Sequence, residues 1–386
     1  MAYTEVTTES WGSRLGSSIK SVLVGLVLFV ISFPLLFWNE GRAVQTAKSL
    51  SEGAAAVVSV PADKVDALKE GRLVHTSGLA TTDEVLKDPA FNVSAKALKL
   101  SRDVEMYQWE ETKKSETKKN VGGSTTTQTT YDYRQTWSSR AINSGSFKQP
   151  EGHRNPGSLP YSSNTLTAKN VTLGAFTLTA AQVEKISGSS RLAVEAAAAE
   201  GLPTKASVSQ GTLYLGADPA SPQIGDTKVS FTSVAPTVVT LVAQQAGSSF
   251  APFQTGAGDA LLLVKDGQMT AAEIFKAAEA DNEILTWILR VIGWVLMFAG
   301  LMAVFKPIAV FGDVVPFFGS MLGAGLGLFA FLVSMALSLL TLSVAWIFYR
   351  PLLGIALLIV AGGALFGLIR LAAKKKAAAP APARAA

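Results

Sequence analysis

Val22–Trp38 reads VLVGLVLFVISFPLLFW, an apolar run relieved only by Ser32 and Pro34. As a helix rising 1.5 Å per residue it is just long enough to cross about 30 Å of hydrocarbon. Arg14 and Lys20 precede it, as in a signal peptide. However, the run exceeds the roughly 7–15 residues of a signal core, and Trp38-Asn39-Glu40 stands where small cleavage residues would be. It therefore reads as a retained membrane helix over 22–38.

Three further apolar segments follow far downstream. TWILRVIGWVLMFAGLMAVF gives a second span over 284–305. IAVFGDVVPFF is too short to cross, so 306–316 reads as an interfacial loop. A third span covers 317–347, and Tyr349-Arg350-Pro351 breaks it, since proline lacks an amide donor and disfavours helical geometry in the residue before it. The fourth span, 352–371, ends at Lys374-Lys375-Lys376, and 372–386 is a low-complexity basic tail expected to be disordered.

Composition agrees. Of 386 residues only 16% are charged and 48% are hydrophobic, against roughly 25% charged in an average soluble domain. The net charge of +5 does not signal nucleic acid. Residues 39–283 hold 24 basic and 26 acidic side chains, and the positive excess sits beside or within the apolar runs. Basic residues near spans favour the cytoplasm. With four spans, Arg14, Lys20, Lys306, Arg370 and the lysine triplet share that side. Both termini, including a tail over 1–21, are then cytoplasmic, and 39–283 forms an extracytoplasmic domain, periplasmic or lumenal. The fold class is an α+β membrane protein: one N-terminal and three C-terminal helices with a large β-rich domain between the first and second.

Within that domain, period-two alternation predicts strands at Arg102–Trp109 and Tyr131–Trp137. The polar stretch KKSETKKNVGGSTTTQTT between them reads as a hairpin tip or mobile loop. Further strands are expected at Leu73–Gly78, Thr212–Leu215, Lys228–Ser233, Thr237–Gln244 and Ala260–Val264, and helices at Ala180–Ile186 and Arg191–Glu200. Thr270 with Glu273 forms a capping box that opens a helix running into the second span, a link expected to be rigid.

Candidate functional residues are few. With no cysteine and only His75 and His153, the usual zinc, haem and iron–sulfur ligand sets cannot be assembled from the chain, and no cofactor is expected. The two histidines read as structural, and Glu110-Glu111 as a solvated charge run. Glu40 and Arg42 flank Gly41 just beyond Trp38, which suggests an interfacial ion pair. Arg290 and Arg350, beside Trp287 and Tyr349, are intramembrane cations placed to snorkel, or else to serve an ion path. Gly319, Gly323 and Gly327, like Gly363 and Gly367, are four apart, the spacing that lets helix backbones approach within a subunit or between subunits.

The chain resembles the LUMA (transmembrane protein 43) family nearly end to end. The carrying residues are Asn39-Glu40-Gly41-Arg42-Ala43, then Glu70-Gly71-Arg72-Leu73-Val74-His75, then Val104-Glu105-Met106-Tyr107-Gln108-Trp109. Gly152-His153, Asn155-Pro156, Val229-Ser230-Phe231, Thr286-Trp287, Arg290 and Phe348-Tyr349-Arg350-Pro351 follow in order. The resemblance implies four spans, a large lumenal domain and a non-enzymatic role in organising membrane protein complexes. In eukaryotes it implies the endoplasmic reticulum and inner nuclear membrane, with lamins and emerin as partners. The alanine-rich tail and missing cysteines suit a bacterial member in the cell membrane, to which those partners do not carry over. The expected partners are the lipid bilayer, other copies of the chain and other membrane proteins. The expected function is a self-associating scaffold, with an ion channel or channel-modulating subunit as the alternative.

Overall fold

In a medium without water, a crossing segment must satisfy its backbone polar groups within itself, so the apolar runs become helices. In the computed structural model, which describes residues 3–195, 198, 200, 202 and 205–352, three helices are long and apolar enough to cross a membrane. They are α1 (Trp11–Ala56), α3 (Ala271–Gly312) and α4 (Pro316–Tyr349); a short α2 (Ala180–Glu184) belongs to the sheet region. Three spans are thus found where four were expected. Apart from its first residue, the expected fourth span over 352–371, with Gly363 and Gly367, lies outside the described residues, as does the tail.

The helices outrun the apolar runs. α1 starts at Trp11 rather than at residue 22 and continues to Ala56. α3 does not stop at Lys306: it passes through Pro307 to Gly312, so the expected loop over 306–316 shrinks to the turn Asp313–Val315. Proline removes the amide that would bond the carbonyl of Ala303, and the Ser21 hydroxyl of α1 donates to that carbonyl at 3.3 Å. Pro316 then opens α4 at its first turn, where its missing donor is harmless. The capping box forms as expected, with Thr270 N–H donating to Glu273 at 2.7 Å and Glu273 N–H to the Thr270 hydroxyl at 3.3 Å.

The chain forms two compact units. The first comprises Met1–Glu9, Lys48–Lys119 and Thr125–Ala280. Its eight-stranded sheet runs Tyr3–Glu9, Thr125–Ser138, Lys99–Lys119, Thr227–Val234, Thr212–Leu215 and Ala206–Ser209; Ser190–Leu192 and Asn164–Thr167 pair beside that path. A seven-stranded sheet centres on Leu73–Thr81 paired with Thr237–Ala246. Alternation buries Val104, Met106, Val229 and Phe231 on one face of the first sheet and Val239, Leu241 and Ala243 in the second. Leu50 of α1 and Ile274 and Phe275 of α3 complete a further cluster with Leu73, Val242 and Leu261.

Three details depart from the sequence reading. The segment Tyr3–Glu9, expected in a cytoplasmic tail over 1–21, is a strand paired antiparallel with Thr125–Tyr131, Val6 opposite Gln128. The stretch read as a hairpin tip or mobile loop is strand almost throughout, with only Asn120–Ser124 as the tip, since Lys99–Lys119 and Thr125–Ser138 pair from Met106–Ser138 to Lys119–Thr125. Threonine, polar but β-branched, favours an extended backbone, so polarity alone did not mark a loop. Arg191–Glu200 does not begin as a helix: Ser190–Leu192 is a strand on Thr227–Val234.

The second unit gathers Ser10–Ala47, the hairpin tip Asn120–Ser124 and the chain from Asp281 onward. Here α1 and α3 run antiparallel and touch at two glycines. A Cβ on Gly25 would lie 2.7 Å from the Gly300 carbonyl oxygen, and one on Gly300 2.7 Å from the Phe29 nitrogen. Gly293 likewise accommodates Leu36. The glycines expected to pack behave differently: Gly319 closes on Asp313, but Gly323 and Gly327 have nothing within 4 Å of a Cβ position among the described residues.

Candidate functional site

Four consecutive residues of α1, Asn39 to Arg42, contact two other helices, because successive helical positions turn through about 100° and cover most of the circumference. The Asn39 side-chain amide donates to the Thr286 carbonyl at 3.0 Å. Glu40, with no exposed surface, accepts from Arg290 Nε at 2.6 Å, Arg290 Nη2 at 2.9 Å and Trp346 Nε1 at 2.8 Å. Gly41 leaves room for the Tyr349 ring, 2.6 Å from where its Cβ would stand. Arg42 donates to Asn282 Oδ1 and Thr286 Oγ1, each at 2.9 Å, and to Asn39 Oδ1 at 3.3 Å.

Asn282, Thr286 and Arg290 are four apart and share one face of α3. Arg290 also lies over the rings of Trp287 and Trp346, 4.7 and 5.8 Å from their centroids. The guanidinium is therefore neither snorkelling nor lining an open path: it forms a two-pronged pair with a buried carboxylate, roofed by indoles. Glu40 and Arg42, expected as an ion pair, take different partners, Glu40 meeting Arg290 and Arg42 meeting Asn282 and Thr286. Trp38, also expected at the interface, is exposed, and Arg350 follows α4, its N–H bonded to the Trp346 carbonyl at 2.7 Å. With one carboxylate balanced by one guanidinium and each carboxylate oxygen accepting a donor, the arrangement suits a clamp across α1, α3 and α4.

A second buried pair lies at the other end of the same helices. Arg14 Nη2 meets Asp313 Oδ2 at 2.5 Å and Arg14 Nη1 donates to the Gly123 carbonyl of the hairpin tip. Trp11 Nε1 donates to the Val310 carbonyl at 3.0 Å, and Gly122 N–H to that of Val314 at 3.0 Å. Gly123, at φ +79°, has the Trp11 ring where a Cβ would be.

In the sheet unit the residues that carried the family resemblance are dispersed, with one exception. His75 is satisfied between Ser59 and Met269, its Nε2 donating to the Met269 carbonyl at 2.9 Å. Glu70 accepts from Gly247 N–H, the Arg72 carbonyl accepts from Gln245 N–H, and Glu105 lies on the outer face of the larger sheet. Trp109, His153 and Asn155 do come together. The His153 ring stacks on Tyr133 at 4.0 Å and meets the Trp109 edge at 4.7 Å. Asn155 accepts from Trp109 N–H at 2.7 Å and donates back to its carbonyl at 2.8 Å, pinning the loop that Pro156 continues. Tyr107 instead packs on Trp137. Burial, then a hydrogen bond to Glu111, pushes the Tyr133 phenol up to about 12. Among the described residues, no group of three His, Cys, Asp or Glu side chains could hold a metal ion.

A profile of the Transmembrane protein 43 family matches residues 106–351. Transmembrane protein 43 of Mus musculus is 38% identical over 88% of this chain and 87% of its own length, and that of Homo sapiens 37% identical over 94% and 93%. The chain belongs to the transmembrane protein 43 family. The Drosophila melanogaster homolog is 31% identical over 91% of the chain and 94% of its own length. No solved structure matches it. Members of this family are transmembrane proteins, and the three long apolar helices fit a multi-pass membrane location. Reading the sequence missed Trp346, Asn282, Tyr133 and the Arg14–Asp313 pair, and gave Thr286 only as a residue matching the family. The polar positions Asn282, Thr286 and Arg290, spaced by four on a helix otherwise turning apolar, were the available signal.

Proposed function

We propose that this chain is a non-enzymatic multi-pass membrane scaffold. Its helices anchor a large extracytoplasmic sheet domain and self-associate, and the domain gathers other membrane proteins. The observation that carries the reading is the Glu40–Arg290–Trp346 clamp. The Glu40 carboxylate, with no exposed surface, is committed to holding three helices together, with each oxygen already accepting a donor. Self-association is assigned to the glycine face of α4 at Gly327, bare among the described residues. An ion channel or channel-modulating subunit, motivated by Arg290, Arg350 and the packing of the third and fourth spans, is the alternative, and the pairing of Arg290 with Glu40 weakens the first of these motives.

Mass photometry of the full chain in mild detergent tests this directly. An oligomer that Gly327→Leu shifts toward monomer is expected; a monomer at every concentration overturns self-association. Conduction in planar bilayers that Arg350→Ala alters would favour the channel instead.

A further inference from the structure

The seam between α3 and α4 is not closed along its whole length. Met302, Phe305, Lys306 and Ala309 of α3 and Gly323 and Leu326 of α4 line a groove of about 370 Å³. Gly323 carries no side chain to fill it, and no atom of the described residues lies within 4 Å of where its Cβ would be. Elsewhere the seam is filled, by Phe305 against Phe329 at 5.7 Å and by Trp294 against Phe331 at 5.5 Å. The walls are apolar apart from the one ammonium of Lys306, which is exposed. In a hydrocarbon medium such a slot is not filled by water, since its walls offer too few polar partners.

The charge at this level is uncompensated. Arg14 is matched by Asp313 at 2.5 Å, whereas neither Lys20 nor Lys306 forms an ion pair among the described residues. Lys20 neighbours Ser21, whose hydroxyl reaches Ala303 of the groove wall, so the two lysines lie at similar depth. From Lys306 to Gly312, where α3 ends, is about 9 Å along a helix. A lysine stem spans much of that, which keeps the methylenes along the groove and brings the ammonium to headgroup level.

We propose that the α3–α4 groove binds one acyl chain of an anionic phospholipid whose phosphate meets the Lys306 ammonium. The site lies within one subunit and does not depend on self-association. Gly327 is not among the residues that form it.

The full chain, purified in mild detergent and stripped of lipid, is titrated with phosphatidylglycerol or phosphatidylcholine and read by native mass spectrometry. One phosphatidylglycerol should bind about fivefold more tightly than phosphatidylcholine, the size expected of one basic residue at an anionic headgroup. Lys306→Gln should abolish that preference, and Gly323→Leu, which fills the slot, should abolish tight binding of either lipid. Inorganic phosphate should not compete, because it lacks the chain that fills the groove. Equal binding of the two lipids to the unaltered chain, or a preference that survives Lys306→Gln, overturns the proposal; the second comparison stands even if Gly323→Leu does not fold. Binding of neither lipid, together with cross-linking of cysteines placed at Gly323 and within residues 353–371, would show that the chain fills its own groove, and also overturns it.

Discussion

Removing the Glu40 charge is expected to cost far more than removing any surface carboxylate. Glu40 has no exposed surface and the Arg290 side chain only 13%, so Glu40→Gln leaves a guanidinium buried without its counter-charge. Breaking one partner of such a pair costs about 3–5 kcal/mol. At roughly 2–4 °C per kcal/mol, even the lower figure depresses Tm by about 6–12 °C. Arg290→Met should cost a similar amount at neutral pH. The double variant Glu40→Leu/Arg290→Met replaces the pair by apolar groups and should lose only about 1–3 kcal/mol, chiefly from the Trp346 N–H left without its acceptor. Thermal melts in detergent, followed by circular dichroism at 222 nm, read the helices directly. If the double variant loses the sum of the two singles to within about 0.5 kcal/mol, the residues are uncoupled and the clamp is refuted.

Other expectations follow from single contacts. Gly41→Ala puts a methyl 2.6 Å from the Tyr349 ring and should cost about 1–3 kcal/mol, with Tyr349→Ala restoring part of the loss in the same melts; a neutral Gly41→Ala would refute the contact. The chain has no cysteine of its own, so Val6→Cys/Gln128→Cys gives an unambiguous test of the N-terminal strand. The two positions are cross-strand partners and should form an intramolecular disulfide, seen as a mobility shift on non-reducing gels; its absence under oxidation would refute the pairing. Tyr133 is raised on folding from 10.0 to about 12. Its stabilisation is therefore present in full below pH 10 and lost as pH climbs through 12. Denaturant unfolding at pH 9 and pH 11 should show a decline that Tyr133→Phe lessens, and an unchanged decline would refute the assignment.

The sequence made the broad architecture legible because hydrophobic length and period-two alternation are properties of single segments. Val22–Trp38 and Arg102–Trp109 carry their structure in their own pattern. What stayed hidden depends on two segments at once. Glu40 and Arg290 are 250 positions apart, so each was weighed alone, the first against its neighbour Arg42 and the second against the lipid interface. Glycines misled in the same way. Spacing by four identified Gly319, Gly323 and Gly327, whereas the pair at which helix backbones touch, Gly25 and Gly300, has no internal repeat and shows itself only once α1 and α3 are antiparallel.

The N-terminal strand raises the sharpest conflict between local and non-local information. Counting basic residues beside spans places 1–21 in the cytoplasm and 39–283 outside, yet Tyr3–Glu9 and Thr125–Tyr131 share a ladder, and Lys148 reaches Glu5 at 2.7 Å. Strands that exchange backbone hydrogen bonds must share one aqueous compartment. The charge count weighs Arg14 and Lys20 as free cytoplasmic cations, but Arg14 is neutralised by Asp313, which leaves Lys20 as the only unmatched basic residue ahead of the first span. One lysine is a weak orienting signal against seven paired residues. The Val6–Gln128 disulfide therefore bears on membrane topology as well as on the strand: formed in intact cells, it moves the N-terminal segment to the side of the sheet domain and leaves the charge-derived layout untenable for helix α1.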